Sequence, residues 1–331
     1  MPDRWYAISQ RIINDVHLPA APELQAVLQA PDTDLPDLLH AAYAVRRHHF
    51  GNRMSLCMLV NAQCGACSED CAYCAQSKVA EVDIDAYPLQ EQDAILTRAE
   101  RAAATGVSHC SIVTSGRGPG ANQLERIARA VTAVKQRYDL RVCASLGIMD
   151  QPALERLAAA GLDRYHHNLN TSAAWHPQIC TTHTWDERVA TVKAAQAAGL
   201  ETCSGVIVGM GEDDDERVQM MLDLRRLAPE SIPVNFLHPV PGTPLADKQE
   251  LTPARCLKIL CAFRFACPDR QIRVAGGREH NLGPVQPLIA WPADSMFVGD
   301  LLTTAGAAVD HDCRMLQGCG FEPQLDPATK E

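Results

Sequence analysis

The sequence lacks three features that would assign it to other classes of protein. No stretch approaches the roughly twenty apolar residues of a membrane-spanning helix, and the first six residues lack the apolar stretch of a secretory signal. No cluster of Lys and Arg suggests a surface for polyanions, since 40 acidic residues outnumber 30 basic ones and the formal net charge is -10. We therefore expect a soluble protein that binds neither membranes nor nucleic acid.

The fourteen cysteines are not arranged as a disulfide framework. They lie in apolar segments typical of strands or helices rather than between loops, and a chain of 331 residues can bury a large core without cross-links. The cysteines therefore predict an enzyme of the reducing cytoplasm, built as one barrel-sized domain or as two smaller ones.

Three of these cysteines form the most informative motif of the chain. Cys67, Cys71 and Cys74 stand at C-x3-C-x2-C spacing directly after an apolar stretch, residues 55–60. Three thiolates at this spacing can hold three corners of a four-iron cluster and leave the fourth iron open to a small molecule. Such an open iron is what radical S-adenosylmethionine (SAM) chemistry requires.

Two closed metal sites are alternatives, because Cys64 extends the motif to C-x2-C-x3-C-x2-C. A zinc ribbon is disfavoured, since its two CxxC pairs usually stand about a dozen or more residues apart, whereas three residues separate them here. A ferredoxin-type cluster is disfavoured because such runs have C-x2-C-x2-C-x3-C spacing and occur in small carrier domains. The spacing favours an open three-cysteine cluster.

Short β-rich runs alternate with amphipathic helical runs over most of the chain. Three predicted helices end at Gly106, Gly161 and Gly199, each followed by an apolar residue that enters the next strand. Eight consecutive strand–helix units predict an α/β fold, a (β/α)8 barrel of the TIM type, with an open doubly wound sheet as the alternative. The predicted strands are residues 55–61, 108–114, 141–146, 164–170, 201–208, 232–237, 271–275 and 295–298.

These units predict a division of the chain into three parts. Residues 1–52 are polar and helical in pattern, and we expect them to form an N-terminal extension that packs on the barrel or on a second subunit. Residues 53–321 would form the barrel, and residues 322–331 would form a C-terminal tail.

Several predicted strands carry a cysteine or an arginine at mid-strand, where an inward polar group is costly unless it has a function. A guanidinium in a strand, as at Arg273, is almost never buried without an anionic partner. A second, anionic cluster held by thiolates would provide that partner, although each cysteine taken alone is more often a core residue. We expect four such side chains to converge inside the barrel: Cys110, Cys143, Cys203 and Arg273.

Amide side chains mark the fourth and sixth predicted strands. Alternation places His166, Asn168 and Asn170 on one face of the fourth strand, and Asn235 lies likewise on the sixth. Amides that point into a barrel orient polar ligands such as a ribose or a cyclic urea, and capping of a strand end is the alternative. The glycine-rich strand exit at residues 205–211 would let a flat ligand approach the backbone.

From about residue 42 to residue 321 the chain resembles the biotin synthase family of radical SAM enzymes. The three-cysteine motif alone would indicate only the superfamily, whereas Arg273 together with three strand cysteines is particular to this family. The matching stretches are residues 67–77, 165–172, 203–212, 231–237, 242–245, 272–279 and 301–304.

The resemblance implies two clusters and a reaction. Cys67, Cys71 and Cys74 would hold a 4Fe-4S cluster whose free iron binds SAM, and reductive cleavage of SAM would yield a radical that takes hydrogen from dethiobiotin. A 2Fe-2S cluster would donate the sulfur that closes the biotin ring. The residues that match its ligands are Cys110, Cys143, Cys203 and Arg273.

The resemblance also implies contact residues and partners, namely flavodoxin or ferredoxin as electron donor and a second copy of the chain in a homodimer. A related radical enzyme with another substrate and a non-catalytic iron–sulfur protein are the alternatives. The implied SAM contacts are Tyr73, Asn168, Asn170, Gly205, Ile207 and Gly209, and the implied substrate contacts are Asn235 and His166. Cys57 and Cys64 are additional cysteines beside the first cluster, and six others are interpreted as core residues: Cys180, Cys256, Cys261, Cys267, Cys313 and Cys319.

Overall fold

A closed barrel of parallel strands forms the centre of the computed structural model, which describes residues 3–14, 17–300, 302–303 and 306–325. The strands are β1 Arg53–Gln63, β2 His109–Thr114, β3 Arg141–Ser145, β4 Arg164–His166, β5 Glu201–Cys203, β6 Val206–Val208, β7 Ser231–Phe236, β8 Gln271–Val274, β9 Ser295–Phe297 and β10 Glu322–Gln324. The sheet runs in the order β1-β2-β3-β4-β5-β7-β8-β9, and β9 pairs back with β1. Since β5 and β6 are two pieces of one predicted strand, the predicted eight-stranded barrel is confirmed and the open sheet is not.

The predicted fifth strand, residues 201–208, is interrupted between β5 and β6. A Cβ atom added at Gly205 would lie 1.8 Å from the backbone oxygen of Pro233 on β7, so only glycine allows this close approach. The fourth strand is also shorter than predicted, because its regular pairing ends at His166 and the chain then turns through a left-handed residue at Asn170.

Helices cover the outside of the barrel and precede it. They are α1 Asp3–Ile13, α2 Ala21–Leu28, α3 Leu35–Phe50, α4 Gln92–Ala104, α5 Ala121–Arg137, α6 Gln151–Ala159, α7 His176–Ile179, α8 Trp185–Ala197, α9 Asp214–Leu227, α10 Pro253–Ala266, α11 Arg278–Leu282 and α12 Val309–Gly318, with short 3-10 helices at Asp32–Asp34 and Gly283–Ala290. The buried face of α5 has helical spacing, with Ile127, Val131 and Val134 against the sheet. In the described part of the chain, no helix has the length and apolar character needed to cross a membrane.

Glycines end three of these helices, as predicted. Gly106, Gly161 and Gly199 follow α4, α6 and α8, and all three have positive φ angles of 76°, 95° and 76°. This left-handed conformation closes the helix and turns the chain into the next strand at little steric cost.

The N-terminal helices pack on the barrel. α3 lies against α1 and α10, and α2 lies against α9 and α10. The guanidinium of Arg46 on α3 is fully buried and donates hydrogen bonds to the backbone oxygens of Ala293 at 3.1 Å and Arg53 at 2.7 Å. At the other end of the chain, β10 pairs with the start of β1. The division of the chain at residues 52 and 321 stays a prediction, and residues 326–331 of the tail lie outside the described residues.

A buried ion pair joins the beginnings of β8, β9 and β1. Asp294 accepts hydrogen bonds from the guanidinium of Arg264 and, at 2.9 Å, from the backbone N–H of Ile272. Its own backbone oxygen accepts the N–H of Ser55 at 2.8 Å. Both charged side chains are almost fully buried. The pair therefore holds α10 to the edge of the barrel where the last strand meets the first.

Replacing Asp294 should destabilise the fold strongly. Asp294→Ala would leave the buried charge of Arg264 without its anionic partner, and we expect the free energy of unfolding to fall by about 3–5 kcal/mol. Urea unfolding of the iron-free protein, followed by circular dichroism, measures this loss. The matched control is Asp269→Ala, which removes an exposed carboxylate beside Arg270 and should change stability by less than about 0.5 kcal/mol. Equal losses in the two variants would contradict the prediction.

Candidate active site

The three-cysteine motif lies in a loop that leaves the end of β1. Gly65 and Ala66 both have positive φ angles, 76° and 48°, which reverse the chain before Cys67. The N–H of Gly65 donates to Oε1 of Gln76 at 2.8 Å, so the loop closes on itself. A Cβ atom at Gly65 would lie 2.6 Å from that of Ala86. The sequence before the motif is thus shaped to present the thiols at the mouth of the barrel.

Acidic residues inside the motif fix the loop to the segment that follows α7. Asp70 accepts the backbone N–H groups of Thr181 at 2.9 Å and Thr182 at 3.2 Å. Glu69 is buried, accepts the hydroxyl of Thr182 at 2.8 Å and lies 2.5 Å from Nδ1 of His183. These contacts hold the loop in one conformation although it has no regular secondary structure.

The thiols of the motif are half-buried, and among the described residues the group of ligand atoms close enough to share one metal ion consists of Cys71, Cys180 and His183 rather than of the three motif thiols. Burial raises the pKa of Cys74, and the neighbouring thiols of Cys67 and Cys64 raise it further. Iron binding requires thiolates, so loading a cluster here would release protons. Cys64 itself forms an isolated bridge with Tyr87 at the end of β1. In the described residues it is not part of any group of ligand atoms close enough to share one metal ion.

Cys180 is the unexpected member of this site. Its Sγ lies 3.8 Å from Sγ of Cys71, 3.4 Å from Nδ1 of His183 and 3.1 Å from Asp70. The hydrogen bond from Cys71 lowers the pKa of Cys180 to about 4. The interpretation of Cys180 as a simple core residue is therefore wrong. The spacing could not show this contact, because 109 residues separate the two cysteines.

The strand register decides which side chains enter the barrel, since paired residues on neighbouring strands share one face of a sheet. Cys57 pairs with His109 and with Phe297, Cys143 pairs with Arg164, and the partner of Arg273 is Ser295. Followed around the closed sheet, these pairs define one inner face. At mid-barrel this face carries a set that we call the inner ring: Cys57, His109, Ser111, Cys143, Arg164, Cys203, Ser231, Arg273 and Ser295.

Arg273 of the inner ring is buried, with 1% of its surface exposed. It donates to Oγ of Ser295 at 2.9 Å and to Oε1 of Gln271 at 2.7 Å, and it lies 3.9 Å from Sγ of Cys203. The guanidinium carbon Cζ lies 5.1 Å from the ring centre of Phe297. Among the described residues, no carboxylate lies within ion-pair distance of Arg273. A buried cation without a protein anion favours an anionic ligand at this place.

Arg164 gives the inner ring a second guanidinium. It pairs with Glu201 at 2.7 Å and shares Oε1 of Gln271 with Arg273. Burial works to lower the pKa of Arg164, but the thiols of Cys143 and Cys203 and the carboxylate of Glu201 raise it above its usual value. These thiols therefore face both guanidinium groups.

Four buried polar atoms around the inner ring have no hydrogen-bond partner in the described chain. They are Oγ of Ser55, Ser111 and Ser231 and Nε2 of His109. Buried polar groups are normally satisfied, and a set of unsatisfied ones around two guanidiniums favours a polar or anionic ligand. The donor set thus fits a cluster of iron and sulfide, because thiolates can bind iron while Arg273 and the hydroxyls face the negative charge.

Cys110 does not belong to the inner ring, and the expectation that it points inward is wrong. It pairs with Met58 and Val142, whereas the inner-face pair of Cys143 is Ser111. Cys110 is therefore on the outer face of the sheet, in the main apolar core. The register brings together Cys143, Cys203 and Arg273 as expected, with Cys57 in addition.

The residues expected around SAM lie next to the three-cysteine loop. Asn170 has φ 69° and donates from Nδ2 to the hydroxyl of Tyr73 at 2.5 Å. Oδ1 of Asn168 accepts the N–H of Gly205 at 3.0 Å and Nε2–H of His166 at 2.9 Å. Burial lowers the pKa of His166 to about 4, so its ring is neutral near pH 7. The structure thus joins these five residues by hydrogen bonds between the loop and the inner ring.

The remaining expected contacts extend this group along β6 and β7. The N–H of Ile207 donates to the backbone oxygen of Asn170 at 2.8 Å. Gly209 lies further along the strand exit, where its N–H donates to Glu212 at 2.7 Å. The amide of Asn235 bonds backbone groups at both ends, the oxygen of Val206 at 3.0 Å and the N–H of Gly276 at 2.9 Å. Its contact with a substrate stays a prediction, as do the SAM contacts.

Two families of proteins match the chain. Residues 64–224 match the radical SAM superfamily, and residues 233–322 match the biotin and thiamin synthesis associated domain. A biotin synthase of Halalkalibacterium halodurans is 45% identical over 318 residues, which cover 96% of this chain and 95% of the relative. A biotin synthase of Geobacillus thermodenitrificans is 44% identical over 330 residues, with 100% and 99% covered.

The solved structure of a methylornithine synthase superimposes with a TM-score of 0.82 and covers 96% of this chain and 97% of that one. Its identity is 20%, so it shows the fold alone. The barrel and the three-cysteine loop at its mouth define a radical SAM enzyme. Identity over nearly the whole length is more specific, and the chain belongs to the biotin synthase family.

The contact between Cys71 and Cys180 predicts a particular disulfide in the iron-free protein. The azo oxidant diamide should take two electrons and two protons from these thiols, because their sulfurs lie 3.8 Å apart. Mass spectrometry of the unreduced peptides identifies the cross-link, and Cys180→Ser should lose it. The control is Cys313→Ser, which changes a half-buried cysteine on α12 and should leave the cross-link intact. A dominant disulfide between Cys67 and Cys74 would contradict the prediction.

Proposed function

We propose that this enzyme inserts sulfur into dethiobiotin to form biotin, with an auxiliary iron–sulfur cluster as the sulfur donor. The observation that carries the proposal is the presence of two thiol sites in one barrel. Cys67, Cys71 and Cys74 lie at the mouth, and the inner ring holds Cys203 beside the buried guanidinium of Arg273. A reaction that needs one centre to cleave SAM and another to supply sulfur requires two such sites.

Each site has residues suited to its group. The loop thiols would hold a 4Fe-4S cluster, and the inner ring would hold a 2Fe-2S cluster with Arg273 against it. When bound, the first supplies the electron that cleaves SAM, and the second supplies the sulfur atom. The chain itself contributes the dry space between them, since the inner-ring side chains are almost fully buried. Exclusion of water and stray hydrogen donors protects a carbon radical.

The hydrogen-bonded residues between the two sites would position SAM and dethiobiotin. Tyr73, Asn170, Ile207 and Gly209 lie on the side of the loop and would contact SAM, whose ribose would also meet Asn168. Gly205 would contact the adenine ring through its backbone, on the side away from β7, since the backbone of Pro233 fills the space that a side chain of Gly205 would take. Asn235 and His166 would contact the ureido ring of dethiobiotin on the side of the inner ring.

The partners follow from the same proposal. An external donor must deliver electrons to the loop, and Ala66 and Ser68 beside Cys67 are exposed, so a flavodoxin or a ferredoxin could dock there. We also propose a homodimer and a location in the cytoplasm, where thiols stay reduced. Light scattering of the protein with both clusters loaded measures its subunit number.

The decisive assay measures 5'-deoxyadenosine and biotin in anaerobic protein that has been supplied with iron, sulfide, SAM and a reductant. Release of 5'-deoxyadenosine should depend on dethiobiotin, because the substrate is the hydrogen donor. Release that is equally fast without dethiobiotin would reject the proposed substrate.

Two substitutions should separate the two sites. Cys71→Ala should abolish SAM cleavage, since the remaining thiols cannot hold the open cluster. Cys203→Ala should retain some cleavage but form no biotin. The control is Cys256→Ala, which changes a buried cysteine on α10 outside both sites and should retain both activities. Biotin formation by Cys203→Ala would show that the sulfur donor lies elsewhere.

A further inference from the structure

We propose that Cys57 on β1, and not Cys110 on β2, is the third thiolate of the sulfur-donor site, together with Cys143, Cys203 and Arg273. The inference rests on the proposed function, because it concerns the ligands of the auxiliary cluster. It moves one ligand of the site from β2 to β1. The ligands on the other three strands stay as expected.

The closed register is the first argument. Starting from Arg273, the inner face passes through Ser295 to Ser55 on β1, and two residues further along β1 is Cys57. Followed in the other direction, the same face passes from Cys143 to Ser111 on β2. Two residues before Ser111 on this face is His109, which pairs with Cys57. Both routes around the barrel therefore place Cys57 on the inner face, and no bulge interrupts the register at this level. A side chain can change face only if its whole strand slips by one residue.

The surroundings of Cys57 are the second argument. Its side chain is 0% exposed and packs on Phe297, whose ring lies below the guanidinium of Arg273. Burial raises the pKa of this thiol to about 12, Arg273 opposes the rise, and the thiols of Cys143 and Cys203 add to it. Cys57 thus shares one electrostatic environment with the other three ligands. On binding iron it would lose its proton, as structural thiolates do.

The surroundings of Cys110 are the third argument. On the outer face it lies with Val142 and Ala144 in the main apolar core. Burial raises its pKa most, the thiols of Cys143 and Cys57 across the sheet add to the rise, and Asp163 and Lys135, an ion pair on the outside of the barrel, act after them in opposite directions. A cluster held by Cys143 and Cys203 is on the other side of the sheet from this thiol.

Unsatisfied polar atoms are the fourth argument, and they do not depend on any cysteine. Ser55 Oγ precedes Cys57 by two residues on the same face, and Nε2 of His109 belongs to the residue paired with Cys57. Both atoms are buried without a partner in the described chain. The part of the inner ring next to Cys57 therefore needs a polar ligand as much as the part next to Arg273 does.

The test uses protein in which the first cluster cannot form. In the Cys67→Ala, Cys71→Ala, Cys74→Ala background, anaerobic reconstitution should load only the auxiliary cluster, with about two irons and two sulfides per chain. Iron and sulfide analysis and Mössbauer spectra are then compared for Cys57→Ser and Cys110→Ser in that background. We expect Cys57→Ser to lose most of the iron or to change the signal of one iron site. Cys110→Ser should match its parent.

Folding is checked separately, because both cysteines are buried. Circular dichroism and thermal unfolding of the iron-free variants should match the parent, and Cys57→Ala provides a second variant if the serine is not tolerated. Loss of the auxiliary cluster in Cys110→Ser with retention in Cys57→Ser would overturn the ligand assignment alone. Failure of the parent background to bind any auxiliary iron would overturn the proposed sulfur donor and the inference together.

Discussion

The structure depends on an uncompensated positive charge at the centre of a closed barrel. The guanidinium of Arg273 is buried, and its nearest partners are hydroxyl, amide and thiol groups rather than a carboxylate. Burying such a charge is costly, and an anionic ligand bound among the surrounding side chains would offset that cost. Arg164 shares Gln271 with it but has Glu201 as its own anion, so the barrel satisfies one guanidinium and leaves the other for a ligand.

The two thiol sites are built by different physical means. The loop of Cys67, Cys71 and Cys74 has no regular structure, and its conformation comes from Glu69 and Asp70 bonded to the segment after α7. The inner ring comes from strand register, which fixes each side chain without local anchors. The thiols at the mouth are half-buried, while the side chains of the inner ring are almost fully buried.

The sequence predicts the fold well because its signals are local. Helix-ending glycines, apolar strands and helical periodicity each act within a few residues, and eight repeats of them favour a closed barrel over an open sheet. The prediction that Cys110 points into the barrel was wrong because the face of a strand residue depends on how neighbouring strands align. A shift of one residue reverses that face. Cys180 was missed for a similar reason, since its contact with Cys71 spans 109 residues. Alternation within β1 alone could not have shown that Cys57 faces Arg273.

The closure of the barrel joins the beginning of the chain to its end. β1 pairs with β9, and β10 adds to the start of β1, so contacts of more than 200 residues in sequence complete the sheet. Cys57 belongs to the first strand, and Arg273 lies on the eighth. During synthesis on the ribosome, the inner ring is therefore incomplete until almost the whole polypeptide has emerged. A cluster held by the inner ring, as proposed above, would then have to be loaded after translation, through a barrel that has already folded or through one that reopens.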